Sequence, residues 1–498
     1  NARAVGLHPA RPLRHRPFGR LHGRAAGGAG GGATANAAYV SSPDMYANGG
    51  GAGYTSSITG QSAQYGQGGG AYYYMGGTNR VGSPAPGSGS TANGYSLSAP
   101  STFRVGNGAD GAVIVRHEVG NASQASSAAL KLVSGTGTVS VSSAVSSLTS
   151  LEVNSSVASS ISGNVSGTGS TLTNSGSGAL TVTGTASYTG QTTVTSSSIT
   201  FTNNAAPATS GFAGAGTVTI EPSSVSFTSA LTSSYSFANT LTGLTLGKSG
   251  NAANITIGSA TSIAGPVAVH AGDITVNANV ETTSSGSVLL KAKGNITVGA
   301  NLTTDGSDIT LWADSDASGR GGINIKDNVS LDSRTSLDRS NSRIGTAIGG
   351  GRITLAGGLD DGGAASGSNL LRATGMTAGD GIPDGYASNY APSGSGNPSI
   401  INYGIGLGTI TPSAGHDSNV NMYSGSGEIR IQGRISESSS NSGNWPTAVL
   451  AHAGFDINAG STGGVTMMGV TSLASGTIGF DLQAWRENNT GTLTSNIL

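Results

Sequence analysis

Four aspartates crowd into twelve residues of KGNITVGANLTTDGSDITLWADSD, residues 293–316: Asp305, Asp308, Asp314 and Asp316. Gathered carboxylates can hold a hard cation, or protonate and hydrolyse a glycosidic bond, and Asp also punctuates turns. A second pair, Asp360-Asp361 in GLDDGG, has His416 of AGHDS downstream. Paired acids and a nearby base are what general acid catalysis requires. A third candidate is Asp380 and Asp384 in AGDGIPDGY. Both carry hard oxygens suited to calcium, with Gly381 and Pro383 shaping the loop. A complete calcium site needs about six oxygens, and no carboxylate upstream fits the spacing, so a plain loop is the competing reading.

The chain around these residues does not suit a compact enzyme. Of 498 residues, 83 are Gly, 9% are charged and 5% are aromatic. Val, Ile and Thr abound, and these favour strands. The lack of Cys removes disulfides, thiol chemistry and cysteine zinc sites. Net charge is −1, yet the first 24 residues hold six Arg and no acid, leaving 17 basic against 24 acidic residues beyond them. A body at −7 excludes nucleic acid as the expected partner. No apolar run is long enough to span a bilayer. The start without Met reads as a fragment, with residues 1–25 a basic, disordered leader of doubtful origin.

Residues 26–120 form a glycine-rich, largely irregular segment, typified by YGQGGGAYYYMGG and ending in GNGADGAVIVRHEVG. From residue 121 onward a triplet recurs, apolar–Thr/Ser–apolar. It begins at Val139, Leu180, Val218, Ile255, Ile274, Ile296, Ile309 and Ile353, with separations of 41, 38, 37, 19, 22, 13 and 44 residues. The first five lie near one or two units of about 20, a repeat length typical of solenoids. Each triplet extends as alternation; Ile274, Val276, Ala278 and Val280 share one face. Nothing sustains a 3.6-residue period, so helices should be rare. The expected fold is all-β, a right-handed parallel β-helix over 121–498, with inward Val/Ile/Leu ladders and outward Thr, Ser and Asn ladders. Residues 357–428, rich in Gly, Asn, Pro and Asp, are expected to form a loop-rich excursion.

Several stretches carry resemblances. GSGALTVTGTASYTGQTTVTSSSITF, through Gly176, Gly178, Leu180, Gly184, Tyr188, Gly190, Thr192 and Val194, resembles the passenger-associated repeat of autotransporters. Gly294-Asn-Ile-Thr-Val298, Asp308-Ile-Thr-Leu-Trp312 and Arg352-Ile-Thr-Leu355 resemble filamentous-haemagglutinin-like repeats of bacterial adhesins. Residues 106–120 resemble the closing strand of glycine-rich domains in bacterial and phage surface proteins. AGDGIPDGY is similar to units of calcium-binding repeats in secreted proteins. Together these imply an extracellular stalk, secreted or on a bacterial cell surface. Its partners would be a host or bacterial surface ligand, carbohydrate included, or further copies of itself. The alternatives are a phage tail fibre or appendage and, less favoured, a β-helical polysaccharide-degrading enzyme. TGLTLGKSG, residues 242–250, falls short of a P-loop, because Thr242 stands where the first glycine belongs. His117, His270, His416 and His452 are too scattered to predict a metal pair. Trp312, Trp445 and Trp485 are expected to be buried rather than to stack on sugars. No catalytic residue and no resident cofactor is expected.

Overall fold

The computed structural model describes residues 128–146, 148–340, 349–362, 377–390, 403–408, 419–435, 447–451, 454–460, 462–471, 478–482 and 496–497, with four short strands between 47 and 72. The chain divides into two units, Asn1–Gln124 and Ala125–Leu498. In the first, Ala47–Asn48 pairs antiparallel with Ala71–Tyr72, and Tyr54–Ser56 with Ala63–Tyr65. The Val113–Val115 strand expected at its end, and the leader, lie outside the described residues.

The second unit is all-β, its strands parallel and gathered in stacked sheets, the arrangement of a β-solenoid. One coil shows how the sequence makes it. Val267–Ala271, Ile274–Val276 and Val280–Thr282 are three strands separated by short corners at Gly272-Asp273 and Asn277-Asn279. The chain then returns through Gly286 to Val288, directly beside Val267. Alternation puts Val267, Val269, Ile274, Val276 and Val280 inside, all buried. Each such side chain contributes about 1.5–3 kcal/mol by leaving water.

Repetition turns these positions into ladders. On the longest sheet, of 13 strands, Leu180, Ile199, Val218, Leu244, Val267, Val288 and Ile309 stand in register. Successive members are 19, 19, 26, 23, 21 and 21 residues apart. On a second face Ile255, Ile274, Ile296, Ile323 and Ile405 do the same. Thr256, Thr275 and Thr297 form the outward column beside them. All eight sequence triplets fall in or abut strands. The triplets at Ile255, Ile274 and Ile296 sit on the second face, whereas Leu180, Val218, Ile309 and Ile353 sit on the long sheet. The 13-residue step from Ile296 to Ile309 is therefore passage between faces, and the 19 and 22 are whole coils.

Two side-chain ladders run along the coils, one bonding each coil to the next and the other closing a corner within each coil. The residue before each second-face triplet caps the next coil: Asn254 Oδ1 accepts from Asp273 N (2.8 Å), Asp273 Oδ1 from Asn295 N (2.7 Å), and Asn295 Oδ1 from Gly322 N (3.0 Å). Inside the opposite corner, Thr282, Thr304, Ser333 and Ser424 are fully buried. Their hydroxyls donate to the carbonyls of Gly286, Ser307, Gly351 (2.7 Å) and Gly427 (2.5 Å). Each buried polar group thus has its partner within the corner it closes. Asp273→Ala should lower stability by about 1 kcal/mol, one hydrogen bond's net worth, while Asp273→Asn stays near wild type. Denaturant midpoints test this; equal losses in the two variants would mean the charge, not the cap, matters.

The stretch resembling the passenger-associated repeat supplies three whole strands, most of a fourth, and their corners. Tyr188 is buried and its hydroxyl meets Thr192 Oγ1 at 2.6 Å. Its glycines serve close approach more than turning. A Cβ at Gly178 would overlap the Val157 carbonyl of the coil before, and one at Gly184 the Gly163 carbonyl, although neither residue has positive φ.

Helix is confined, among the described residues, to Ser336–Ser340. No described helix is long and apolar enough to cross a membrane. Within 357–428 the chain is not wholly excursion: Tyr403–Leu407 pairs with Ile323–Ile325, and Asn419–Tyr423 with Ser330–Asp332, so two solenoid strands thread the span. In the first, Gly404 and Gly406 hide the alternation; in the second it is open, with Val420 and Met422 buried between Asn419, Asn421 and Tyr423.

Candidate functional site

The four opening aspartates do not converge. Asp305 Oδ1 accepts from Ser336 N (2.6 Å) and Asp308 Oδ1 from Arg352 N (2.7 Å), each clamping a backbone amide of a later segment. Asp316 Oδ1 accepts from Ser318 N two residues on. Asp314 differs from the other three in being buried. It is 3% exposed, with φ +48°, the left-handed region that Asp tolerates. Its carboxylate accepts from Gly319 N (3.0 Å) and Ser318 Oγ (3.1 Å). Burial outweighs these bonds and raises its pKa to about 6.

Asp360, Asp380 and Asp384 do come together, at the stem of an arm. The chain leaves the long sheet after Ile353–Gly357 and returns through a Gly357–Gly385 antiparallel bridge. Gly358, with φ +78°, makes the exit. It is pinned on both sides: its N–H donates to Asp314 O (3.2 Å), and its carbonyl accepts from Trp312 Nε1 (2.6 Å). The two stems of the arm then clasp reciprocally. Asp360 on the outgoing stem accepts from Gly379 N (2.6 Å) and Gly381 N (2.8 Å) of the returning one. Asp384 on the returning stem accepts from Gly362 N of the outgoing one through Oδ2 (2.7 Å). Asp380 closes its own turn, accepting from Ile382 N (2.9 Å).

This geometry does not fit calcium. Asp360, Asp380 and one oxygen of Asp384 face backbone amides, which would repel a cation, and among the described residues no three His, Asp or Glu side chains are placed to share a metal. The calcium expectation for Asp380 and Asp384 has no support from this arrangement. Asp360 is likewise engaged by amides, and His416 lies outside the described residues; among the described residues no acid–base pair is assembled at GLDDGG.

Beyond the stem, the returning chain covers the solenoid exterior. Ser388 exchanges backbone hydrogen bonds with Gly321 (2.6 and 2.7 Å), and Asn389 Nδ2 reaches Gly319 O (2.7 Å). Tyr390 stacks on Tyr403 at 4.8 Å between centroids, while its hydroxyl meets Thr297 Oγ1 (2.9 Å). Trp312 is 4% exposed, and Lys291 Nζ lies 3.4 Å from its ring centroid. The tryptophan therefore anchors the arm and has no free face for a sugar. Trp445 and Trp485 lie outside the described residues, as do His117 and His452. His270 is a half-buried outward residue in register with Lys291, and burial lowers its pKa. In TGLTLGKSG, Gly243–Leu246 is a strand of the long sheet and Lys248 Nζ donates to Pro222 O (2.7 Å), so no phosphate loop forms.

No family model, curated protein or solved structure matches this chain. What the chain can do chemically must be read from the geometry alone, and that geometry spends its polar groups on holding coils and arm. Two clusters went unseen in the sequence. Arg334 pairs with Asp332 (2.7 Å) and lies over the Tyr423 ring, whose hydroxyl donates to Asp456 (2.9 Å). Glu428 bridges Arg430 (2.9 Å), Arg352 (3.6 Å) and Thr466. Their members come from different coils, and only the register brings them together.

Proposed function

We propose that this chain is a structural, adhesin-like stalk, secreted or displayed on a bacterial surface. It holds binding elements out on a right-handed parallel β-helix. One observation carries the reading: among the described residues, the aspartates singled out in the sequence accept backbone amides of neighbouring coils or stems, while the chain leaves the long sheet after Gly357 and returns to it at Gly385. A rigid core with a pinned projection suits display, and loops on a rigid scaffold are where binding residues concentrate. The ligand classes that fit are surface carbohydrate or another copy of the chain. The inward apolar ladders and outward Thr columns are what the adhesin-repeat resemblance implies.

The test deletes the arm. Joining Gly357 to Gly385 through two glycines should leave circular dichroism and the unfolding midpoint unchanged. Binding to surface glycans, or self-association measured by ultracentrifugation, should weaken by at least about tenfold. Unchanged binding would remove the arm from the function, and hydrolysis or eliminative cleavage of a polyuronide by the purified chain would overturn the display reading.

A further inference from the structure

The arm's stem holds a feature that neither stability nor display requires. Asp384 is 6% exposed, and its Oδ1 is shut from solvent with no hydrogen-bond partner among the described residues. Its other oxygen caps Gly362 N across the stem. Among the described residues the charged groups acting on it are negative, Asp360 and Asp380, while the backbone amides of Gly362 and Asp361 oppose them by favouring its charged form. From the solenoid, the facing cation is Lys291, which interacts with Asp360 rather than with Asp384. Asp314 stands at the foot, its backbone carbonyl holding Gly358 N, with Asp316 as its charged neighbour and Ser318 and Gly319 as its donors.

The geometry points to a proton-operated clasp: one proton on Asp384 tightens the stem between Gly357–Gly362 and Gly379–Gly385, and its loss loosens it. The proton would neutralise the one stem carboxylate that is buried, and would relieve its repulsion with Asp360 and Asp380. The direction follows from linkage. Burial first, then the neighbouring carboxylates, raise the pKa of Asp384 above its ordinary value in the closed stem. The closed stem therefore binds the proton more tightly than an open one. Closure is favoured below that raised pKa and weakens as pH climbs through it. The inference stands apart from the proposed function, because the clasp can work whether or not the arm binds anything.

Hydrogen exchange on the full chain at pH 5 and pH 8, corrected for intrinsic rates, tests it. Peptides spanning 359–362 and 379–385 should be several-fold better protected at pH 5, approaching about tenfold per unit of pKa difference between closed and open stems. Asp384→Asn keeps an acceptor for Gly362 N without a charge. Its stem should be as protected at pH 8 as the wild type is at pH 5. Asp308→Asn, outside the stem, should leave the pH response intact. Equal wild-type protection at both pH values would overturn the clasp, as would a pH response that survives in Asp384→Asn. If that variant fails to fold, Asp380→Asn must shrink the response by removing one repelling neighbour, and an unaltered response would count against the proposal.

Discussion

Replacing Phe212 with Ala should destabilise the solenoid by about 3–5 kcal/mol, the range for emptying a buried aromatic site. Phe212 is 1% exposed in the strand Gly211–Gly214 and is ringed by other aromatics. Phe237 stacks on it at 5.7 Å, and Phe201 and Tyr235 meet it edge-on at 6.0 and 5.2 Å. Most of this core is built from Val, Ile and Leu, so the cluster marks a change in section. The six-stranded sheet on the third face ends with Ser236–Phe237, and a seven-stranded sheet begins at Thr261–Ile263. Tyr235 fits because its hydroxyl reaches Pro207 O (2.9 Å), which leaves no buried donor unpaired. Collapse around the missing ring is limited by strands locked in register on both sides, which argues for the upper half of the range. Denaturant unfolding measures the loss. A cost below about 1 kcal/mol would mean the coils slide to fill the gap.

Asp314→Asn should stabilise the protein at neutral pH, by up to about 3 kcal/mol if the pKa of about 6 against an ordinary 3.8 is fully expressed. The sign follows from linkage. A carboxyl whose folded pKa is raised binds protons more readily in the folded state. Its favourable contribution is complete below about 3.8 and is lost as pH rises through about 6. Wild-type stability should therefore decline between pH 4 and pH 7. The Asn variant should show a flatter profile over that window and match the wild type near pH 4. Asn also tolerates φ +48° and can accept from Gly319 N and Ser318 Oγ as Asp314 does. A variant less stable than wild type at pH 7 would show that the charged hydrogen bonds outweigh the burial.

Much of the fold is legible in the sequence. The Ile-Thr-Ile and Ile-Thr-Val triplets announce strands, and the Asn or Asp before each on the second face announces the cap it supplies. The arm is legible as composition, since residues 357–428 break the alternation with Gly, Pro and Asp. The first of its two embedded strands is not, because Tyr403–Leu407 reads Tyr-Gly-Ile-Gly-Leu, and glycine hides a period of two. The reciprocal clasp of Asp360 and Asp384 could not be found by spacing, because it joins the two stems of an arm whose closure is a tertiary event. The calcium candidates gain no support from the stem: carboxylate spacing is visible in the chain, whereas the amides that turn toward Asp380 and toward one oxygen of Asp384 are not.

By itself the sequence determined that residues 121–498 would be strands with an apolar inside and a hydroxyl-rich outside. Alternation and turn residues are local, and local pattern decides which way successive side chains point. Only the tertiary structure decided which face each triplet occupies and which carboxylates lose their water. Asp314 and Asp316 differ little as sequence, yet the first is 3% exposed and the second remains at the surface of its turn. The difference arises within one turn: Asp314 is buried, its backbone carbonyl holding Gly358 of the arm's stem, while Asp316 two residues on stays exposed. Burial there is set by contacts between residues tens of positions apart, on which a local pattern carries no information.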